Sequence, residues 1–385
     1  LKALKEGGRE ITAFGIGGPK LEREGLRVIV PASELLAMGF AEILSRLPRI
    51  FSALAALTEV AREEKPDLAV VIDYPDFHFR LAARLTKLGV PLVYYIPPKT
   101  WVWRKSRIAR LRALFKRVLC ILPFEEEFYR RENVNALYVG NPLLDELPLE
   151  MSRAQARAQL GLEADEKILV FMPGSRPSEL RRHLVLGLEA VQRAVAFLRS
   201  KGAMGASEDL RVLIPLPETS AEILMDAEAR VEAWLKVARP GGMQVTVSRG
   251  DAPICQIAAD CGVIKSGTST LEAGILGCPH LVIYKPNWVT SFIFKYFIRY
   301  KGSVGLVNLV AGEAICPELI SENATVKTIA GGIVTLFTDA EAHGRMLAAM
   351  KLLRAKLLQS PAHRHPSKLA ASEIFKLLDG IRGLR

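Results

Sequence analysis

The chain has 385 residues, half of them hydrophobic and 24% charged, which is enough apolar material for two cores and excludes a disordered chain. Lys and Arg outnumber Asp and Glu by 52 to 41, a formal charge of +11, so the surface favours anionic partners (nucleic acid, acidic lipid or phosphorylated small molecules) without choosing among them. No apolar run reaches the roughly 18 residues that span a bilayer, no signal peptide is visible, and no C-x-x-C or H-E-x-x-H pattern calls for a metal; the five cysteines read as buried thiols of a reducing compartment.

In chain order, residues 1–6 read as the tail of a helix running into Gly7-Gly8. An α/β domain normally begins with a strand, so an N-terminal strand is expected to be missing. Strands are predicted at 10–16, 26–30, 67–72, 91–96, 118–122 and 136–139, with helices at 41–64, 77–88, 105–116 and 125–132. Asp67-Leu-Ala-Val-Val-Ile-Asp73 is apolar between acidic ends, the pattern of a strand buried on both faces in a parallel sheet. Around 140–166 Asn141-Pro142 and Leu147-Pro148-Leu149 interrupt the alternation, which marks a link. Beyond it, strands are predicted at Lys167–Met172, Leu210–Pro215, Gln244–Ser248, Gly262–Lys265 and His280–Tyr284. Helices follow at 178–200, 220–237, 251–259, 269–277 and 325–337. Two successive βα arrays imply an α/β fold of two doubly wound domains facing a cleft. The expected boundaries are 1–150, 151–339 and a helical 340–385 that packs back on the first domain.

The chemistry of the second half starts at Pro173-Gly174-Ser175-Arg176, which follows the Lys167–Met172 strand and precedes a helix. Ligands sit outside the carboxyl ends of such strands, and helix-start N–H groups favour an anion. Gly174 lets the backbone approach a ligand, Ser175 adds a hydroxyl, and Arg176 offers a fork for phosphate oxygens. An ordinary strand-to-helix turn with a surface Arg has the same residues. Ser266-Gly267-Thr268 repeats this logic after Gly262–Lys265, with Glu272 one helical turn on and suited to a ribose diol. Thr268 or Ser269 capping the helix, with Glu272 closing a capping box, is the plainer reading and is compatible with a ligand. Neither turn is a Walker A loop or a G-x-G-x-x-G fingerprint. Two such turns suggest a nucleoside-diphosphate sugar, with Asn308 as a further base or ribose contact.

In the first half, Ile72-Asp73-Tyr74-Pro75-Asp76-Phe77 puts two carboxylates at a strand end. Asp76 suits a helix cap, which leaves Asp73 to take a proton from a sugar hydroxyl; both could equally be caps. Trp101, Trp103 and Arg104 precede a helix rich in Arg and Lys, and Trp288, Phe292 and Tyr296 recur at i+4 spacing beside further basic residues. Both stretches suit acyl chains and an anionic membrane surface, and both also suit a core stripe with a solvated face.

Taken in order, Phe14-Gly-Ile-Gly-Gly-Pro19, Leu36-Ala-Met-Gly39, Ile72-Asp-Tyr-Pro-Asp-Phe77, Trp101-Val-Trp-Arg104, Leu122-Pro-Phe-Glu125, Pro173-Gly-Ser-Arg176 with Glu179, Ser266-Gly-Thr268 with Leu271-Glu272, and Asn308-Leu309 resemble the lipid A disaccharide synthase family of bacterial glycosyltransferases. The resemblance runs from Phe14 to about Gly312. It implies the GT-B class, with two Rossmann-like domains and the donor held mainly by the second. It implies inverting transfer of 2,3-diacylglucosamine from UDP-2,3-diacylglucosamine to 2,3-diacylglucosamine 1-phosphate, which gives a β(1→6) disaccharide and UDP. No metal, no cofactor and no nucleic acid are expected. Asp73 matches the family's proposed catalytic carboxylate and Arg176 its essential arginine. The implied location is cytoplasmic, peripheral on the inner face of the inner membrane, and a homodimer is compatible with it. The same scaffold also serves UDP-GlcNAc epimerases and the peptidoglycan N-acetylglucosaminyltransferase. Asn141 stands where the family commonly has His, and Lys99-Thr100 where Ser-Val is common.

Overall fold

The computed structural model describes residues 1–35, 40–101, 106–205, 207–216, 221–238, 240–286, 302–359 and 361–383. The chain divides into two compact units, Leu1–Asp145 with Leu357–Arg385, and Glu146–Lys356.

The first unit holds a parallel pair, β1 (Ala13–Gly17) and β2 (Leu26–Pro31), and a four-stranded parallel sheet. That sheet runs β3 (Ala69–Ile72), β4 (Leu92–Tyr95), β5 (Arg117–Cys120), β6 (Ala136–Tyr138) in simple order. Parallel neighbours need crossovers, and the helices Pro75–Lys87, Ser106–Leu114 and Pro123–Arg131 supply them. Two of the three start with proline, whose missing N–H costs nothing at the first helical position. On one sheet face Phe77, Phe79, Tyr94, Phe115 and Tyr129 form an aromatic core with Leu54, Leu92 and Leu111. On the other, Val93, Leu119 and Val139 pack against Ala370 and Ile374 of the C-terminal helix Pro366–Arg382.

The second unit is a six-stranded, all-parallel sheet. Its strands are β7 (Lys167–Met172), β8 (Leu210–Leu216), β9 (Met243–Arg249), β10 (Cys261–Lys265), β11 (His280–Tyr284) and β12 (Glu318–Ile320), in spatial order β12-β11-β10-β7-β8-β9. From β7 the chain winds outward through β8 to β9. It then returns to the other side of β7 and winds outward again through β10 to β12. The neighbours β7 and β10 therefore mark the point where winding reverses, the place where sheets of this kind bind ligands. Ile168, Leu169, Val170 and Phe171 are fully buried, as a strand covered on both faces requires. The long helix Pro177–Ser200 approaches β7 closely because Gly187 has no Cβ, which would stand 2.1 Å from the Phe171 ring. The sequence reading missed β12 and the short helix Leu306–Ala311. Among the described residues, no helix is long and apolar enough to cross a membrane.

Candidate functional site

Both anion-binding turns predicted in the second unit lie at the winding reversal, one after β7 and the other after its sheet neighbour β10. Gly174 takes a φ of +120°, a region open to glycine, and turns the chain into the helix that begins at Pro177. Ser175 and Arg176 are exposed. Among the described residues, the Arg176 guanidinium and the Ser175 and Thr268 hydroxyls have no hydrogen-bond partner. In the second turn Gly267, not Thr268 or Ser269, is the N-cap of Thr268–Leu276, and it has no side-chain cap bond. The expected capping box does not form, so the first N–H groups of this helix lack side-chain partners. The Ser266 hydroxyl donates to the Val304 carbonyl at 3.0 Å and leaves its lone pairs to accept.

Two residues that sequence reasoning did not assign join these turns. Glu179 accepts the Ser175 N–H at 3.1 Å with one carboxylate oxygen and the Lys265 ammonium at 2.7 Å with the other. Burial pushes the Glu179 carboxyl up, but the Lys265 bond and charge, the Ser175 N–H and Arg176 outweigh it and hold the group below its ordinary range. Signals for both were present: Glu179 is an acid in a helix first turn, and Lys265 is the one charge closing an apolar strand.

Glu272 lies one turn into Thr268–Leu276, half-buried with one carboxylate oxygen unpartnered. Burial is the main cause that raises its pKa to about 7; a hydrogen bond with Gln256 acts against it, and the Glu146 charge adds to it. Such a carboxyl can accept two vicinal hydroxyls. Asn308 requires a correction. It is 1% exposed, its amide N–H groups donate to Cys316 O and Glu318 Oε1, and its oxygen accepts the Cys316 N–H, each at 2.8 Å. With both ends of the amide used internally, it cannot be the free ligand contact expected. Glu318 in turn receives the N–H groups of Val304 and Gly305, so Asn308 supports the segment that receives the Ser266 hydroxyl.

In the first unit, Asp73 follows β3 and is exposed. Asp73 and Tyr74 take φ values of 50° and 41°, left-handed conformations that side chains rarely adopt and that neighbours must hold. The Asp73 carbonyl accepts the Tyr94 hydroxyl at 2.8 Å and lies 2.7 Å from His78 Nδ1, which turns the backbone out at the strand end. Asp76 is not the cap expected; the N-cap is Tyr74, and Asp76 pairs with Arg107 inside the first turn.

The membrane-contact residues need revision. Trp101 turns inward, donating its indole N–H to buried Glu125 at 3.2 Å and meeting Phe124 edge-on at 5.0 Å. Four arginines of the following segment also have internal partners: Arg107 on Asp76, Arg110 over the Phe79 ring, Arg112 on Glu132 O and Arg117 on Glu373. A solvated face over an Ile108 and Leu111 stripe describes this helix. Trp103, Arg104, Trp288, Phe292, Tyr296 and the Leu36–Gly39 motif lie outside the described residues. Asn141 is buried, donating to Ile121 O and accepting from Leu143 N, a structural role. Among the described residues, no group of three or more His, Cys, Asp or Glu side chains is placed to hold a metal ion.

A family model for lipid-A-disaccharide synthetase matches residues 1–371. The chain belongs to the lipid-A-disaccharide synthase family. It is 39% identical over 93% of its length to a lipid-A-disaccharide synthase of Anaeromyxobacter dehalogenans strain 2CP-1, covering 88% of that relative. It is 35% identical over 98% of its length to one of Myxococcus xanthus strain DK1622, covering 92%. A solved glycosyltransferase of Rickettsia africae ESF-5 shares the fold, with a TM-score of 0.56 and 13% identity, over 99% of this chain and 92% of that one. The GT-B class is thereby the observed fold, and the activity is that of the lipid-A-disaccharide synthase family, a glycosyl transfer. The epimerase and peptidoglycan readings give way to the family.

Proposed function

We propose that the second unit binds the UDP part of UDP-2,3-diacylglucosamine and that Asp73 of the first unit serves as the base toward 2,3-diacylglucosamine 1-phosphate. The observation that carries this reading is the pair of turns, Gly174–Arg176 and Ser266–Thr268, at the ends of neighbouring strands where the winding reverses. The N–H groups at two helix starts, the free hydroxyls and the Arg176 guanidinium suit a diphosphate. Glu272 is suited to the ribose hydroxyls. The acceptor 6-hydroxyl attacks C1 of the donor sugar as its proton passes to Asp73. The new C1–O bond forms as the bond from C1 to the diphosphate oxygen breaks, and UDP leaves with the electron pair. Arg176 and the helix starts stabilise the charge that develops on it. Both substrates carry acyl chains, so attachment to the inner face of the inner membrane belongs to the same proposal.

The test is UDP release in the presence of both acylated sugars. Asp73→Ala and Arg176→Ala should each lower kcat by about 100-fold or more with unchanged melting temperatures. Turnover near that of the unmodified enzyme in either variant would remove that residue from its role.

A further inference from the structure

We infer that the Glu179–Lys265 ion pair is the positioning device that sets the two diphosphate turns relative to each other, and that neither member is itself a diphosphate ligand. This rests on the diphosphate reading above. The pair lies between the turns. Its N···O distance is 2.7 Å, and the side chains are 12% and 16% exposed, so water screens it little. Glu179 also presses on the glycine of the first turn: a Cβ at Gly174 would stand 2.6 Å from the Glu179 Cβ. Lys265 closes β10, directly before the second turn. Glu179 further holds the first turn by accepting the Ser175 N–H.

The surroundings fix both partners. The Lys265 ammonium lies 5.5 Å from the centre of the Tyr284 ring, at the end of the next strand, β11. That ring stacks on His183 at 6.3 Å. His183 lies one helical turn after Glu179 and spans the sheet end. Its Nε2 accepts the Lys285 N–H at 2.9 Å, so Nδ1 carries the proton and donates to the Glu179 carbonyl at 2.8 Å. Burial lowers the His183 pKa, in keeping with this neutral tautomer. Three strand ends, β7, β10 and β11, are thus tied through one carboxylate and one ammonium. An ammonium already neutralised by a carboxylate is a poor extra charge for a phosphate. Loss of either partner leaves the other half-buried and uncompensated, free to draw one turn out of place.

UDP affinity measured by calorimetry on the whole chain tests this, with melting temperatures confirming that each variant folds. Glu179→Gln and Lys265→Met should each weaken UDP about tenfold, and the double variant also about tenfold rather than about a hundredfold, because one shared interaction is lost. Lys265→Arg, which keeps the cation, should recover most of the affinity. Affinity unchanged or tighter in Glu179→Gln, with a loss in Lys265→Met, would make Lys265 a direct ligand and overturn the inference, as would additive losses in the double variant. A second readout needs no ligand. Amide exchange at Ser175 in the free enzyme should speed up about tenfold in Lys265→Met as the Glu179 carboxylate loses its anchor; unchanged exchange overturns the inference. An unmodified enzyme with no UDP affinity would instead refute the diphosphate reading, and the exchange measurement would still decide the role of the pair.

Discussion

The Trp101 indole N–H donates to the Glu125 carboxylate at 3.2 Å, and this contact pins the loop leaving β4 to the helix that follows β5. The same loop is held at Pro98, whose carbonyl accepts the Tyr129 hydroxyl, and at Thr100, whose hydroxyl donates to Tyr129. Only Lys99 of the run 97–100 stays exposed.

Glu125 is 1% exposed, and burial pushes its pKa up to about 7 despite the opposing Trp101 and Leu122 hydrogen bonds and the Lys99 charge. A carboxyl raised in the fold binds more protons there than in the unfolded chain. Its contribution to stability is therefore complete below about 4.5 and is lost as the pH rises through about 7. The loss amounts to up to about 3 kcal/mol at roughly 1.4 kcal/mol per pH unit. Glu125→Gln cannot titrate. Measured by urea denaturation, it should gain on the unmodified protein by that amount between pH 5 and pH 8; a constant difference would refute the assignment.

The buried Asn308 amide makes a stability prediction that separates packing from ligand binding. Asn308→Ala strands the Cys316 N–H and carbonyl and takes one of two donors from Glu318 Oε1, which keeps the Gly305 N–H, at a cost of about 2–4 kcal/mol. Asn308→Asp, nearly isosteric, should be at least as damaging, because it places a second carboxylate against Glu318. Denaturation midpoints check both. An Asp variant close to the unmodified protein would show that Glu318 does not need the amide donor.

The fold was legible where burial writes itself into a run of residues. Lys167-Ile-Leu-Val-Phe-Met172 reads as a doubly covered strand because it is one, and the Gly-Ser turns after β7 and β10 are marked by small residues and a helix start. The three-residue β12 carries no such run. Glu318 works there through its side chain, receiving N–H groups from a segment 13 and 14 residues away, and no periodicity records that. Asp73 and Tyr74 turn left-handed without a glycine because Tyr94 and His78 hold the Asp73 carbonyl, again a tertiary cause. Trp101 misled for a related reason: beside basic residues an indole suggests a membrane, and only the fold shows Glu125 as its partner.

Gly187 tests the close approach of Pro177–Ser200 to β7. In an exposed helix interior, Gly→Ala gains about 1 kcal/mol. Here the new methyl would stand 2.1 Å from a fully buried Phe171 ring, and overpacking of this kind costs about 1–3 kcal/mol. Gly187→Ala should therefore lower the melting temperature. Adding Phe171→Leu, which removes the ring, should cost less in the Gly187→Ala background than in the unmodified protein. Additive losses would mean the helix simply shifts outward.

Glu272 makes the pH dependence of UDP binding a sharp test of the ribose assignment. Its pKa of about 7, raised chiefly by burial, leaves about one carboxyl in eleven ionised at pH 6 and about ten in eleven at pH 8. Two ribose hydroxyls donating to this group favour the ionised form, so binding releases a proton. UDP affinity should therefore rise about tenfold from pH 6 to pH 8 and level off above. The terminal phosphate of UDP also ionises at about pH 6, so a second UDP measurement on Glu272→Gln is what isolates the carboxyl. That variant keeps an acceptor oxygen and cannot ionise. It should bind more weakly at pH 8 and lose most of the rise between pH 6 and pH 8. The same rise in both proteins would assign it to the ligand and leave Glu272 without the ribose.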